Sequence, residues 1–188
     1  MAEFLLALIP ILHLEGRIWS YAPTDKGRET YCGISRVYWP NHPIWIRVDL
    51  AKRALPSYTP KSLSEYLEKD EEAQRLVKQF YSDWWHRMRL SEVKSQKVAF
   101  FLFQASVNFG EEKVARWAQM ICITNGKSVA VDGKIGPVTL AAINAICEAN
   151  YLRDAAVMQR YHYLMAIVDD KNQIANKDGW EERVRASL

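Results

Sequence analysis

The sequence predicts a mainly α-helical protein with a small irregular or β-ribbon segment after its first helix. Three observations carry this prediction. Apolar residues recur at helical intervals over most of the chain, helical periodicity vanishes between residues 17 and 48, and no Pro/Gly/Ser-rich linker divides the sequence. With 188 residues, 49% of them hydrophobic, the chain is long enough to bury a substantial core.

The first helix is predicted over most of residues 2 to 15, disturbed at Pro10 and ended by Gly16. Its apolar run, from Phe4 to Leu12, has the character of a signal peptide. However, Glu3 stands where such a peptide carries positive charge, and no clear small-residue cleavage site follows. The run is also too short to span a membrane. We therefore predict a buried first helix and no stable membrane insertion.

Later helices are predicted from the spacing of apolar residues. A long helix should begin near Ser62, where Glu65 completes the spacing of a capping box. Two further helices should contain residues 98–105 and 114–121. Pro137 suits the first position of another helix reaching about Leu152, and a last long helix should cover residues 153–168. Asn125-Gly126 and Asp132-Gly133 are predicted turns.

Composition excludes several classes of site. The 25 Lys and Arg against 22 Asp and Glu give a formal charge of +3, which suits a polyanionic substrate or an ordinary solvated surface equally. No basic run or nucleic-acid motif occurs, so no nucleic-acid partner is expected. The four histidines are scattered, and we predict neither a metal site nor a cofactor. An odd number of cysteines predicts buried thiols and no disulfide framework: Cys32, Cys122 and Cys147.

Among the acidic residues near the front of the chain, Glu15 has the setting that a general acid requires. It ends an apolar helix and precedes Gly16. The negative end of the helix dipole and the apolar neighbours should both raise the pKa of its carboxyl. A carboxylic acid kept protonated near neutral pH can protonate the leaving oxygen during glycosidic cleavage. Position alone favours an exposed glutamate beside a helix cap, so the following residues decide.

The residues after Glu15 are spaced in a recognisable pattern. Asp25 follows Glu15 by ten residues, and Thr30 follows Asp25 by five. This spacing resembles that of the glutamate, aspartate and threonine of phage lysozymes. The segment resembles still more closely glycoside hydrolase family 108, a family of N-acetylmuramidases that includes secretion activator proteins. That family's Glu-Gly-Gly, Asp-x-Gly-Gly-x-Thr and Gly-Ile-Thr are kept except at three positions, Arg17, Arg28 and Ser35.

Three later elements extend the resemblance over nearly the whole chain. Val107-Asn108-Phe109-Gly110 is similar to the family's Val-Asn-x-Gly, and Gly179-Trp180-x-x-Arg183 to its closing Gly-Trp-x-x-Arg. The segment from Asp132 to Thr139 resembles the Asp-Gly-x-x-Gly-Pro-x-Thr element of peptidoglycan-binding modules. The same residues are good turn and helix-start chemistry, so we favour a structural role for them.

The resemblance implies a lysozyme-like helical region over residues 1–105 and a peptidoglycan-binding-like subdomain over residues 106–188 packed on it. It implies hydrolysis of the β-1,4 bond between N-acetylmuramic acid and N-acetylglucosamine, with Glu15 as general acid. Asp25 and Thr30 would position or activate the attacking water. Because sugars pack their C–H faces on aromatic rings, we predict as substrate-binding residues Tyr21, Trp19, Tyr31 and, by the family match, Asn108.

Two alternatives stay open. A lytic transglycosylase also uses one glutamate, and a non-catalytic wall-binding or secretion-assisting protein would result if Arg17 and Arg28 have closed or altered the cleft. The expected partners are peptidoglycan glycan strands, and the expected place of action is the bacterial cell wall or periplasm. Because the sequence has no clear signal peptide, a holin or an export machinery is a candidate partner for reaching the wall.

Overall fold

The computed structural model describes residues 1–22 and 27–169. Within them the chain forms mainly helices, with one three-stranded antiparallel sheet after the first helix, which confirms the predicted fold class. The helices are α1 (Phe4–Leu14), α2 (Ile44–Ala54), α3 (Pro60–Glu68), α4 (Glu71–Arg87), α5 (Gln96–Phe109), α6 (Glu111–Thr124), α7 (Pro137–Asn144) and α8 (Glu148–Asp169). The strands are β1 (Trp19–Tyr21), β2 (Glu29–Tyr31) and β3 (Ile34–Ser35).

The chain divides into two compact units. One unit is Leu8–Asp83, and the other comprises Met1–Ala7 together with the chain from Trp84 onward. The first has a core built from α1, the sheet, α2, α3 and α4, with fully buried side chains Ile11, Ile34, Ile44, Leu63, Leu67 and Tyr81. The second buries Trp85, Phe101, Phe103 and Tyr151. The predicted division near residue 105 stays a prediction.

The sheet is a short meander whose second connection is a tight hairpin turn. Thr30 is the central residue of β2 and pairs with Ser20 on β1 and Ser35 on β3. Only Cys32 and Gly33 connect β2 to β3, and both have positive φ, 49° and 77°. A two-residue turn with two positive φ angles matches the right-handed twist of its strands, so it closes the hairpin compactly.

Two sequence-based boundaries in the first unit are wrong. Residues 44–48 were expected to be irregular, but α2 begins at Ile44, because its buried residues Ile44, Val48 and Ala51 follow helical spacing. The single long helix expected from Ser62 is two helices, α3 and α4. Thr59 caps α3 in a capping box with Ser62, and the Asp70 carboxylate accepts the Ala73 backbone N–H (3.0 Å) at the start of α4.

Two expectations in the second unit are also wrong. The helix from Pro137 ends at Asn144, because the Asn144 amide bonds to a neighbouring segment. Its oxygen accepts from the Lys94 N–H (2.8 Å) and its nitrogen donates to the Glu92 carbonyl (2.9 Å). Cys147, expected to be a buried thiol, is exposed in the connection to α8, whereas Cys32 and Cys122 are buried. Among the described helices, none is both long and apolar enough to cross a membrane.

Candidate active site

Glu15 follows the last residue of α1 and begins the turn toward the sheet. Its backbone N–H donates to the Ile11 carbonyl (2.8 Å), so the last turn of the helix fixes its backbone. Gly16 then adopts a φ of 75°, a left-handed conformation that ends the helix and that glycine adopts most easily. The Glu15 side chain is half-buried, and its Oε1 atom is fully buried. A carboxyl group is therefore held at a helix end and partly removed from water.

The hairpin turn packs directly against this carboxyl-bearing side chain. A methyl group placed on Gly33 would lie 3.0 Å from Glu15 Cβ and 3.3 Å from its Cγ. The same methyl would lie 2.6 Å from the hydroxyl oxygen of Tyr81 on α4. Real Cβ atoms do not approach other heavy atoms as closely as 2.6 Å, so only glycine fits this position without movement of its neighbours.

Tyr81 fixes the other residue of the turn. Its hydroxyl donates to the Cys32 carbonyl at 2.8 Å, and its side chain is fully buried. Burial raises the pKa of Tyr81 well above its usual range. The hydroxyl therefore stays protonated and remains a donor. Sequence reasoning missed Tyr81, although a tyrosine four residues from both Val77 and Trp85 indicates a buried helix stripe whose hydroxyl needs a partner.

Thr30 lies in a row of hydroxyl side chains that crosses the sheet. Its Oγ1 is 2.7 Å from the Ser20 Oγ, and its partner on β3 is Ser35. Ser35 Oγ in turn donates to the Gly27 carbonyl (3.0 Å). The Thr30 side chain is half-buried, so its hydroxyl lies in a polar row at the edge of the core. Asp25, the predicted partner of Thr30, lies outside the described residues.

A buried carboxylate that the sequence analysis did not single out anchors the sheet. Glu29 is 8% exposed and contacts two cations and one indole. Lys52 Nζ lies 2.5 Å from its Oε1 and Arg36 Nε 3.2 Å from its Oε2, while Trp19 Nε1 donates to Oε1 at 2.8 Å. Arg36 also bonds Asp49 at 2.7 Å. The network ties β1 and β2 to α2, and nothing in the spacing of Glu29 marked it as buried.

The predicted aromatic set divides by exposure. Trp19 and Tyr31 are only 6% and 1% exposed. The Trp19 indole N–H donates to Glu29, and the Tyr31 hydroxyl accepts from the Gln74 side-chain N–H (2.9 Å). These two rings fill the core and offer little surface to a ligand. Tyr21, at the end of β1, is 56% exposed and is the member of this set that presents a ring to solvent.

The later motifs lie at turns and helix ends in the part of the chain after Trp84. Asn108 donates its side-chain N–H to the Gln104 carbonyl of its own helix (2.8 Å), and Gly110, with φ 87°, joins α5 to α6. The Asp132 carboxylate accepts a hydrogen bond from Gln119 Nε2 (2.6 Å). The side-chain oxygen of Gln119 accepts the Gly133 backbone N–H (3.0 Å). The structural role favoured for the Asp132–Thr139 element and the substrate-binding role of Asn108 both stay predictions. The Gly179-Trp180-x-x-Arg183 element lies outside the described residues.

The arginines at two of the family's glycine positions differ in backbone conformation. Arg28 has a φ of 49°, a left-handed backbone conformation. The glycine that the family pattern has at this position would adopt that conformation without strain. Arg17 is exposed; burial raises the pKa of the Cys32 thiol, and the positive charge of Arg17 partly opposes that rise. In residues 1–22 and 27–169, no group of three or more His, Cys, Asp or Glu side chains could hold a metal ion.

Two known families match successive parts of the chain. Residues 9–110 match the family described as Glycosyl hydrolase 108, and residues 113–185 match one described as Predicted Peptidoglycan domain. The solved structure of SagA from Brucella abortus superposes with a TM-score of 0.63 at 17% sequence identity, covering 98% of this chain and 90% of that one. At this identity the likeness shows the fold. No curated protein sequence matches the chain.

Proposed function

The chain belongs to the glycosyl hydrolase 108 family, and we propose that it hydrolyses the β-1,4 bond between N-acetylmuramic acid and N-acetylglucosamine with Glu15 as general acid. The family match covers more than half of the chain, and a peptidoglycan domain match follows it. Together they make this protein a glycoside hydrolase of the peptidoglycan-cleaving class. The bond and the acid are the parts we propose.

The observation that carries the proposal is the setting of Glu15. A half-buried carboxyl at the end of α1 has one oxygen fully buried and lies against the glycine of a tight turn. Such a site holds a proton donor in one place, and the residue as a whole remains partly accessible. Fixed geometry matters, because a general acid must reach the leaving oxygen within hydrogen-bond distance.

The water-handling residues in the proposal are Thr30 and Asp25. The Thr30 hydroxyl, in the row with Ser20, can hold a water, while Asp25 would supply the carboxylate that activates it. Tyr21 is the exposed aromatic ring that we assign to sugar stacking. Peptidoglycan glycan strands are the proposed substrate and the bacterial wall the proposed place of action. A holin or an export machinery remains a candidate for the route there.

The test is digestion of purified peptidoglycan followed by mass analysis of the fragments. We expect free reducing N-acetylmuramic acid ends, and Glu15→Gln should lower their release by about 10²–10⁴-fold while the protein stays folded. Glu65→Gln is the matched control, because Glu65 lies exposed on α3 and contacts Lys61 weakly at 3.9 Å. Wild-type turnover by folded Glu15→Gln protein would refute the assignment of the acid.

The same fragments separate the two alternatives. Products lighter by one water, carrying an anhydro ring, would identify a lytic transglycosylase that also depends on Glu15. Binding to the wall with no release of reducing ends would identify a non-catalytic wall-binding or secretion-assisting protein.

A further inference from the structure

The turn formed by Cys32 and Gly33 is clamped between Glu15 and α4. The Tyr81 hydroxyl donates to the carbonyl of Cys32, the first residue of the turn. The Cα of Gly33, the second residue, lies close to both Tyr81 and Glu15. All four residues belong to the unit Leu8–Asp83. The acid chemistry proposed for Glu15 does not by itself require a buried tyrosine behind the turn.

We propose that Tyr81 and Gly33 are positioning residues for Glu15: the Tyr81 hydroxyl holds the hairpin turn by its Cys32 carbonyl, and the missing side chain of Gly33 lets that turn close against Glu15. This inference rests on the proposed role of Glu15 as the general acid. Neither residue contacts the sugar in this scheme. Both act by fixing where the Glu15 carboxyl stands.

The close contacts set the scale of the effect. A Cβ on Gly33 would be 2.6 Å from the Tyr81 oxygen, about 0.8 Å short of the 3.4 Å at which ordinary contact begins. Relief requires the turn, the tyrosine or Glu15 to move by a comparable distance. Misplacing a catalytic group by about 1 Å can cost about 100-fold in rate. Gly33→Ala should therefore lower turnover by between about 10-fold and 100-fold.

The hydrogen bond from the Tyr81 hydroxyl to the Cys32 carbonyl should persist throughout the working pH range. Burial keeps the pKa of Tyr81 well above its usual range. The hydroxyl therefore keeps the proton that it donates to Cys32. Removing the hydroxyl removes both the bond to the turn and the atom nearest to a new side chain at position 33.

The decisive experiment is a double-mutant cycle in the full-length protein. Tyr81→Phe alone should lower kcat more than it changes KM, and should move the limb of the pH–rate profile assigned to the acid. Gly33→Ala should be more severe. The double variant Gly33→Ala/Tyr81→Phe should be several-fold more active than Gly33→Ala, because the oxygen at 2.6 Å is gone. The control is Tyr151→Phe, an equally buried tyrosine of the other unit, which should keep the wild-type pH profile.

A second measurement does not depend on activity. In protein carrying carboxyl-labelled glutamate, ¹³C NMR follows the titration of Glu15, identified by its loss in Glu15→Gln. Tyr81→Phe should move the midpoint of that titration and Tyr151→Phe should not. An unchanged midpoint together with rate losses that simply multiply in the double variant would overturn the inference. If Gly33→Ala does not fold, the Tyr81→Phe titration and pH profile decide alone.

Failure of the two proposals can be told apart. Wild-type protein that releases no reducing ends sinks the proposed function, whatever the NMR shows. Active wild-type protein whose Tyr81→Phe variant keeps both its pH profile and its Glu15 midpoint sinks the positioning role and leaves the acid in place.

Discussion

Replacing Glu29 by glutamine would test whether the buried ion-pair network builds the sheet that carries Thr30. The substitution keeps the shape of the side chain and an oxygen to accept the Trp19 indole N–H. It removes the negative charge that faces Lys52 and Arg36. Because Lys52 and Arg36 would then face an uncharged amide, we expect the free energy of unfolding to fall.

The magnitude follows from how exposed the partners are. Breaking a fully buried pair by removing one partner costs about 3–5 kcal/mol, whereas exposed pairs contribute about 0.2–1 kcal/mol. The side chain of Glu29 is 11% exposed, but those of Lys52 and Arg36 are 23% and 32% exposed and can partly rehydrate. Arg36 also keeps Asp49. We therefore expect a loss of about 2–3 kcal/mol in the free energy of unfolding, between these two limits.

Urea unfolding at neutral pH, followed by tryptophan fluorescence, measures this loss. The matched control is Asp49→Asn, which removes the other carboxylate on Arg36, and whose side chain is 45% exposed. It should cost no more than about 1 kcal/mol. If Glu29→Gln is no more destabilising than Asp49→Asn, the network is a surface feature and the reasoning from burial fails.

Three further predictions concern a helix start, the water site and the stereochemistry. Asp70→Ala should lose about 1–3 kcal/mol of stability by removing the Ala73 cap and the Arg47 bonds, and Asp70→Asn less, because asparagine still caps. Burial opposes ionisation of Asp70, but these bonds hold its pKa below 3.8, so their contribution is complete above that pH and disappears as pH falls through the lowered value. Unfolding curves measured at several acidic pH values should show wild-type and Asp70→Ala converging. Thr30→Ala and Asp25→Asn should each lower kcat more than they raise KM on peptidoglycan, and parental rates in both would remove the water-positioning role. Cleavage should invert, by the resemblance of the Glu15, Asp25 and Thr30 spacing to phage lysozymes; inverting enzymes hold their two carboxyls about 6.5–9.5 Å apart to admit a water, and proton NMR showing the β-anomer first would establish retention instead.

The sequence was sufficient to predict the helical class, the sheet after α1 and the end of that helix at Gly16. These features follow from local rules of periodicity and glycine conformation. It was insufficient where a boundary depends on a distant partner. Asn144 ends α7 by bonding residues fifty positions away, and no local signal announces that contact.

The candidate site shows the same division. Glu15 was singled out by its place at a helix end together with the spacing of Asp25 and Thr30 after it, both of which are local features of the sequence. Tyr81 and Glu29 were missed because their importance lies in contacts 49 and 23 residues away along the chain, with Cys32 and Lys52. The roles of Trp19 and Tyr31 could not be read from residue type, since an aromatic ring in a loop-like segment suits a cleft and a core equally.

The three thiols differ in exposure, so the rates at which they react with a thiol reagent report local opening of the fold. Cys147 is exposed and should react with a maleimide at once, while burial raises the pKa of both Cys32 and Cys122 to about 11 and shields them. Cys32 lies in the unit Leu8–Asp83, and Cys122 lies in the other unit. Peptide mapping of the label on Cys32 and on Cys122 would therefore give the rate at which each unit exposes its buried thiol, without any introduced probe.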